Sequence, residues 1–139
     1  MFRKYRNAVL VTVFCLSLAI IVYVVFFHRG EGARDSMVLF VSSSEAREKI
    51  NEHQDAFILD VRSAEEFFSV RIPGSVNIPY LMIRQEQDLL PSDRHHLIFI
   101  YCRTGRRAAI AAHELVALGF TDIIVFPGMA TWVYETVTG

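Results

Sequence analysis

The sequence predicts an α/β domain: an open, mostly parallel sheet flanked by helices and preceded by one N-terminal transmembrane helix. Three observations predict this. The runs 56–61 (AFILDV) and 97–102 (LIFIYC) are apolar throughout most of their length, as strands buried on both faces are. Stretches of helical period alternate with such runs, the order that builds parallel sheets. Residues 8–27 (AVLVTVFCLSLAIIVYVVFF) hold no charge, proline or glycine; as a helix they extend about 30 Å, the thickness of a bilayer's hydrocarbon core.

The elements follow in order. Residues 1–7 form a basic flank, 8–27 the span and 28–36 a polar, glycine-containing linker, leaving 37–139 for the domain. The apolar run is too long for the core of a signal peptide, and the segment after it is a poor cleavage site. Basic residues before the span slightly outnumber those just after it. The positive-inside rule then places the N-terminus in the cytoplasm and the domain across the membrane.

Within the domain, MVLFVS at 37–42 reads as a short strand, and SSSEAREKINEH as a helix with a serine N-cap. After the strand at 56–61, Ser63 caps a short helix, SAEEFFSV. The segment 72–79 (IPGSVNIP) is turn-rich with a brief extended piece, and 81–90 (LMIRQEQDLL) reads as a helix ending before Pro91. The strand 97–102 leads directly into the helix RRAAIAAHELVALGF, stopped by Gly119. A third strand, 122–126 (DIIVF), precedes a short closing helix, GMATWVYETV.

Composition excludes several functions. The formal net charge of -1 argues against a general nucleic-acid binder. The two cysteines, Cys15 and Cys102, make no disulfide framework and are too few for a thiolate zinc site. No metal-binding His or Cys pair and no phosphate-binding or nucleotide fingerprint is present, so neither a metal nor a cofactor is implied. His95 and His96 fall in a polar turn and read as solvated; His53 and His113 fall on helices.

The chemistry gathers at CRTGRR, 102–107. In open α/β sheets, sites form at the carboxyl ends of strands, and both Asp60 and Cys102 lie at such ends. A tight loop containing Gly105 turns backbone N–H groups inward, and the following helix adds its positive end. These effects, with Arg103, Arg106 and Arg107, favour thiolate over thiol and make Cys102 a nucleophile that needs no histidine base. The same groups suit an anionic substrate or leaving group. The arginines at the start of a helix oppose its dipole, an arrangement suited to a bound anion. The bland alternative is a buried structural cysteine beside a solvated basic helix start.

YCRTGRRA resembles the active-site loop of the rhodanese (sulfurtransferase) family. FILDVRSAEEFFSVRIPGSVNIPY is similar to that family's Asp-Val-Arg, Glu-Phe and Ile-Pro-Gly-Ala-x-Asn-Ile-Pro signature, and GFTDIIVFPGMATW to its closing segment. The resemblance implies a rhodanese-like fold and a sulfur-carrying Cys102. A donor such as thiosulfate loads a persulfide, and a thiol or protein acceptor takes the sulfur. Arg103, Thr104, Gly105, Arg106 and Arg107 become the loop that cradles persulfide and donor. Asp60, Arg62 and Glu66 become structural neighbours, with Arg62 expected to pair with Glu66 or Glu65. Trp132 packs the end of the domain. The pattern departs at Val70-Arg71, where the family usually has Gly-His, and at Pro127-Gly128, where it has paired glycines.

Two other readings remain beside the sulfurtransferase. Phosphatases or arsenate reductases of this architecture use Cys-x5-Arg, whereas four residues separate Cys102 from Arg107; the shorter loop suits a sulfur better than a phosphoryl group. The other is a membrane-tethered, non-catalytic binding domain.

Overall fold

A computed structural model describes residues 36–139, together with Leu16, Ser17, Ala19, Ile20, Ile21 and Tyr23. The chain divides into two units, Met1–Arg34 and Asp35–Gly139. The six described residues of the first unit are helical. Most of the expected span at 8–27, its basic flank and its linker lie outside the described residues. Among the described residues, no helix is long and apolar enough to cross a membrane.

The second unit is a five-stranded sheet with helices against it. Its elements are β1 (Met37–Phe40), α1 (Ser43–Glu52), β2 (Phe57–Asp60), α2 (Ala64–Ser69), β3 (Val76–Asn77), β4 (Ile98–Cys102), α3 (Arg106–Ala117) and β5 (Asp122–Gly128). The strand order is β1-β5-β4-β2-β3, and every pairing is parallel. The fully apolar run IFIYC becomes the central strand β4, buried at all five positions. Burial on both faces is what a continuous apolar strand requires.

One face of β4 points Ile98, Ile100 and Cys102 into a core with Leu59, Val125 and the alanines of α3. The other points Phe99 and Tyr101 toward Phe126, Trp132 and Ala46 of α1. The small side chains Ala108, Ala111 and Ala112 let α3 lie close against the sheet, with Leu115 filling the remaining space. Ser42 and Ser63 each close a full capping box, with Glu45 and Glu66 respectively, so α1 and α2 begin where their sequences predict.

Two expected helices are absent. Residues 81–90 form turns and one turn of 3-10 helix at Gln87–Leu89. Only Ile83 and Leu90 of that stretch are buried, too narrow an apolar stripe to hold a helix against the core. Residues 129–131 form a turn, and 132–137 run irregularly to an isolated antiparallel bridge between Val137 and Arg71. There Trp132 tucks against Phe126 and its indole N–H donates to the Glu135 carbonyl at 3.0 Å, while the β-branched Thr131, Val133, Thr136 and Val137 disfavour helix.

Candidate active site

Cys102 ends the central strand and is 1% exposed. The register between β4 and β5 shifts here, so that Cys102 pairs with Gly128. The Cys102 carbonyl accepts from Met129 N–H at 3.1 Å, and the Arg103 carbonyl from Ala130 N–H at 2.9 Å. These bonds fasten the start of the cysteine loop to the turn after β5. Gly128 adopts φ +76, and a Cβ there would collide with the Cys102 carbonyl oxygen and stand 2.6 Å from the Tyr101 ring. The close approach admits glycine alone.

Gly105 turns the loop into α3. With φ +90 it is the N-cap of α3, and its N–H donates to the Cys102 sulfur at 3.1 Å. The sulfur therefore sits at the amino end of a twelve-residue helix and receives a backbone donor. Arg103, Thr104 and Arg106 are exposed around it, while Arg107 is half-buried.

Arg107 is held by Glu66. Its Nη1 donates to Oε2 at 2.6 Å and its Nη2 to Oε1 at 2.8 Å. The Arg107 hydrogen bonds hold the Glu66 carboxyl down at about 2, against some desolvation. In return Arg107 is raised above the ordinary arginine value, first by those bonds and then by the nearby charges of Glu66 and Cys102. One of the loop's guanidiniums is thus clamped beside the sulfur.

The expected pairing of Arg62 with Glu66 or Glu65 is not what forms. Arg62 turns to Asp60, two residues back, donating from Nε at 3.0 Å to both oxygens and from Nη2 at 2.6 Å. Backbone N–H of Arg62 also donates to Asp60 Oδ1 at 2.9 Å. Both residues are buried, and a buried charge needs a partner in direct contact. Desolvation lowers the Arg62 value, but the hydrogen bonds and charge of Asp60 outweigh it and raise it overall. Asp60 itself serves Arg62 with its carboxylate and β3 with its carbonyl, which accepts from Ile78 N–H and the Asn77 side chain.

An open cleft of about 530 Å³ lies beside the loop, lined by Arg62, Glu66, Ser69 and Val70 on one side and by Arg103, Met129 and Ala130 on the other. Four of these, Ser69, Val70, Met129 and Ala130, carry no chemistry that a motif would mark, and only the fold brings them to the cysteine loop. The histidines lie elsewhere. His95 Nδ1 contacts Thr121 Oγ1 at 2.8 Å, and His96 Nε2 contacts the Asp55 carbonyl at 2.9 Å. Both brace turns at the amino ends of the strands, where solvation alone was expected. Among the described residues no group of His, Cys, Asp and Glu is placed to hold a metal ion.

Comparison with known proteins identifies the family of the fold. The model of the rhodanese-like domain matches residues 42–134. A Bacillus subtilis protein whose name describes a sulfur carrier, YrkF, is 34% identical over 110 residues, covering 78% of this chain and 57% of that protein. The chain thus spans little more than half the length of that relative. A second Bacillus subtilis protein, named a sulfurtransferase, YtwF, is 32% identical over 96 residues, covering 69% of this chain and 91% of its own length. The crystal structure of a rhodanese-like domain protein from Staphylococcus aureus superposes with a TM-score of 0.64 at 26% identity, covering 73% of this chain and 98% of that one. The chain belongs to the rhodanese-like domain family, whose named members here include sulfurtransferases and sulfur carriers.

Proposed function

We propose that this protein is a sulfurtransferase that moves a sulfane sulfur from a donor such as thiosulfate to a thiophilic acceptor through a persulfide on Cys102. The observation that carries this reading is the Gly105 N–H directed at the Cys102 sulfur at 3.1 Å, at the head of α3. A donor and a helix end placed there favour a thiolate and then the anionic outer sulfur of a persulfide. The thiolate attacks the outer sulfur of thiosulfate, the sulfur–sulfur bond breaks, and sulfite leaves with the bonding pair. An acceptor thiolate then attacks the outer sulfur of the persulfide, and Cys102 leaves as thiolate. Arg103 and Arg106, exposed at the mouth, meet the anionic donor; Arg107 stays clamped beside the sulfur.

The full chain, purified in detergent, is expected to form thiocyanate from thiosulfate and cyanide and to gain the mass of one sulfur after donor exposure. Cys102→Ser is expected to do neither. Equal turnover by the serine variant overturns the assignment. The apolar stretch 8–27 supports, as part of the same reading, a single-pass anchor with the N-terminus in the cytoplasm and the domain outside. Thr138 is exposed. Thr138→Cys in a Cys102→Ser background should react with a membrane-impermeant maleimide in intact cells, and labelling only after lysis would reverse the orientation.

A further inference from the structure

Strand β1 closes one edge of the sheet, and its outer side meets no other strand among the described residues. Sheet edges are where chains add to one another, and proteins guard them with short strands, charge, proline or bulges. The opposite edge is guarded, because β3 is only two residues long. β1 is not. Its sequence MVLF carries no charge and no proline, and its pairing with β5 runs without a bulge. Met37 is 61% exposed, Leu39 41% and Phe40 65%.

The backbone of this edge is unpaired on a regular plan. Met37 N–H donates to the Thr121 carbonyl at 2.7 Å, and Val41 N–H to the Val125 carbonyl at 3.0 Å. Alternate residues of a strand bond to the same neighbour, so Met37, Leu39 and Val41 face β5. Val38 and Phe40 then turn their N–H and C=O groups outward. The side chains alternate by face as well. Val38 packs into the core under α3 and Val41 into the core under α1. Phe40 therefore shares the α3 face, and Met37 and Leu39 share the α1 face.

We propose that β1 pairs antiparallel with β1 of a second copy of this chain, with Leu39 opposite its counterpart on a two-fold axis. About that axis the edge is self-complementary. Val38 lies opposite Phe40 of the second copy, and each such pair exchanges the N–H and C=O groups that face outward. The side chains match too: Leu39 meets Leu39, Phe40 meets Val38 and Met37 meets Val41, apolar on both faces. A lipid surface would cover these side chains but leave the amide groups unpaired, which hydrocarbon penalises. A second copy satisfies both.

The register makes the pairing testable by disulfide cross-linking. The full chain in detergent carries Cys15→Ser and Cys102→Ser, with a single new cysteine at Leu39→Cys or Met37→Cys. Copper–phenanthroline and dissolved oxygen take up the two electrons and two protons that a pair of thiols gives up. Across the axis the two residues 39 form a non-hydrogen-bonded pair with Cα atoms about 4.5 Å apart, within reach of a disulfide. Residues 37 of the two copies stand about 13 Å apart, beyond it. Leu39→Cys is expected to run as a covalent dimer on a non-reducing gel, forming about tenfold faster than in Met37→Cys. Adding Phe40→Lys to Leu39→Cys sets charges on the edge and should slow cross-linking about tenfold. In the parent chain, the Val38 and Phe40 amides should exchange hydrogen more slowly as protein concentration rises, which decides the matter should a cysteine variant fail to fold. No cross-link at residue 39, equal cross-linking at 37 and 39, or amide exchange that ignores concentration overturns the pairing, and would leave the edge to a lipid surface or to a different chain.

Discussion

Glu66 joins the first turn of α2 to the first turn of α3 by accepting two hydrogen bonds from Arg107, at 2.6 and 2.8 Å. The same carboxylate accepts from the Ser63 backbone N–H at 3.1 Å, closing the capping box of α2. One side chain therefore starts a helix and fixes a guanidinium beside the cysteine loop. The pair also couples α2 to the cysteine loop: disturbing α2 disturbs the loop's charge.

The pair carries a pH signature. The Glu66 carboxyl is held down at about 2 from its ordinary 4.5, chiefly by Arg107. A depressed carboxyl contributes stability that is full above its unfolded value and is lost as pH falls toward its folded one. The window therefore runs from about pH 5 down to about pH 2. The carboxylate is about a third exposed, so solvent screening leaves about 1 kcal/mol of the effect. Glu66→Gln should cost that amount above about pH 5, and the gap to the parent should close on acidification. Urea midpoints taken across that range check it; a gap that stays constant with pH contradicts the assignment.

Residues 102–107 were legible because strand end, tight turn and helix start are consecutive, so local rules place them. Gly105 as the turning residue and the sulfur at the head of α3 follow from adjacency. Glu66 and Arg107 are 41 residues apart, and no periodicity brings them together. Local reasoning paired Arg62 with Glu66 or Glu65, whereas burial made Asp60 its partner. The helix expected in the closing segment failed for a similar reason: Trp132 gains more by covering Phe126 than its neighbours gain by helical bonding. Long-range packing overrides weak local preference.

Gly128 is a place where the chain tolerates no side chain. Its φ of +76 disfavours any L-residue, by about 1–2 kcal/mol. The collision of a Cβ with the Cys102 carbonyl adds to that, and relief would have to move the strand end that carries the sulfur. Gly128→Ala should destabilise by about 3 kcal/mol or more and slow persulfide loading in the molecules that remain folded. Gly74 has φ +75 but an open surrounding, so Gly74→Ala should cost only the backbone share. Comparing the two denaturation midpoints isolates the collision.

Tyr101 supports the site from below. Its hydroxyl accepts from Ile72 N–H at 3.1 Å. Ser75 Oγ donates to the Ile72 carbonyl at 2.6 Å, so Tyr101 donates to Ser75 at 3.2 Å. Burial pushes the Tyr101 hydroxyl well up, and the charge of Asp60 adds to it, so the group stays a neutral donor. Tyr101→Phe keeps the ring packed on Phe126 but orphans the Ile72 N–H. A loss of about 1–2 kcal/mol is expected in urea unfolding. Sulfur loading per folded molecule should be unchanged; a loss of loading without a loss of stability would assign the hydroxyl a chemical part.

The Asp60–Arg62 pair makes the last prediction, because its two members should not behave additively. Both are buried, and each is the other's main partner. Asp60→Leu leaves a guanidinium in the core with only the Val70 carbonyl, and Arg62→Met leaves a carboxylate with only a backbone N–H. Removing one partner from a buried ion pair costs about 3–5 kcal/mol. The double variant removes both charges together and should cost less than the sum of the singles, by about 2 kcal/mol or more. A full cycle of four urea denaturations reads the coupling directly. Additive losses would mean that water or another group already compensates one of the charges.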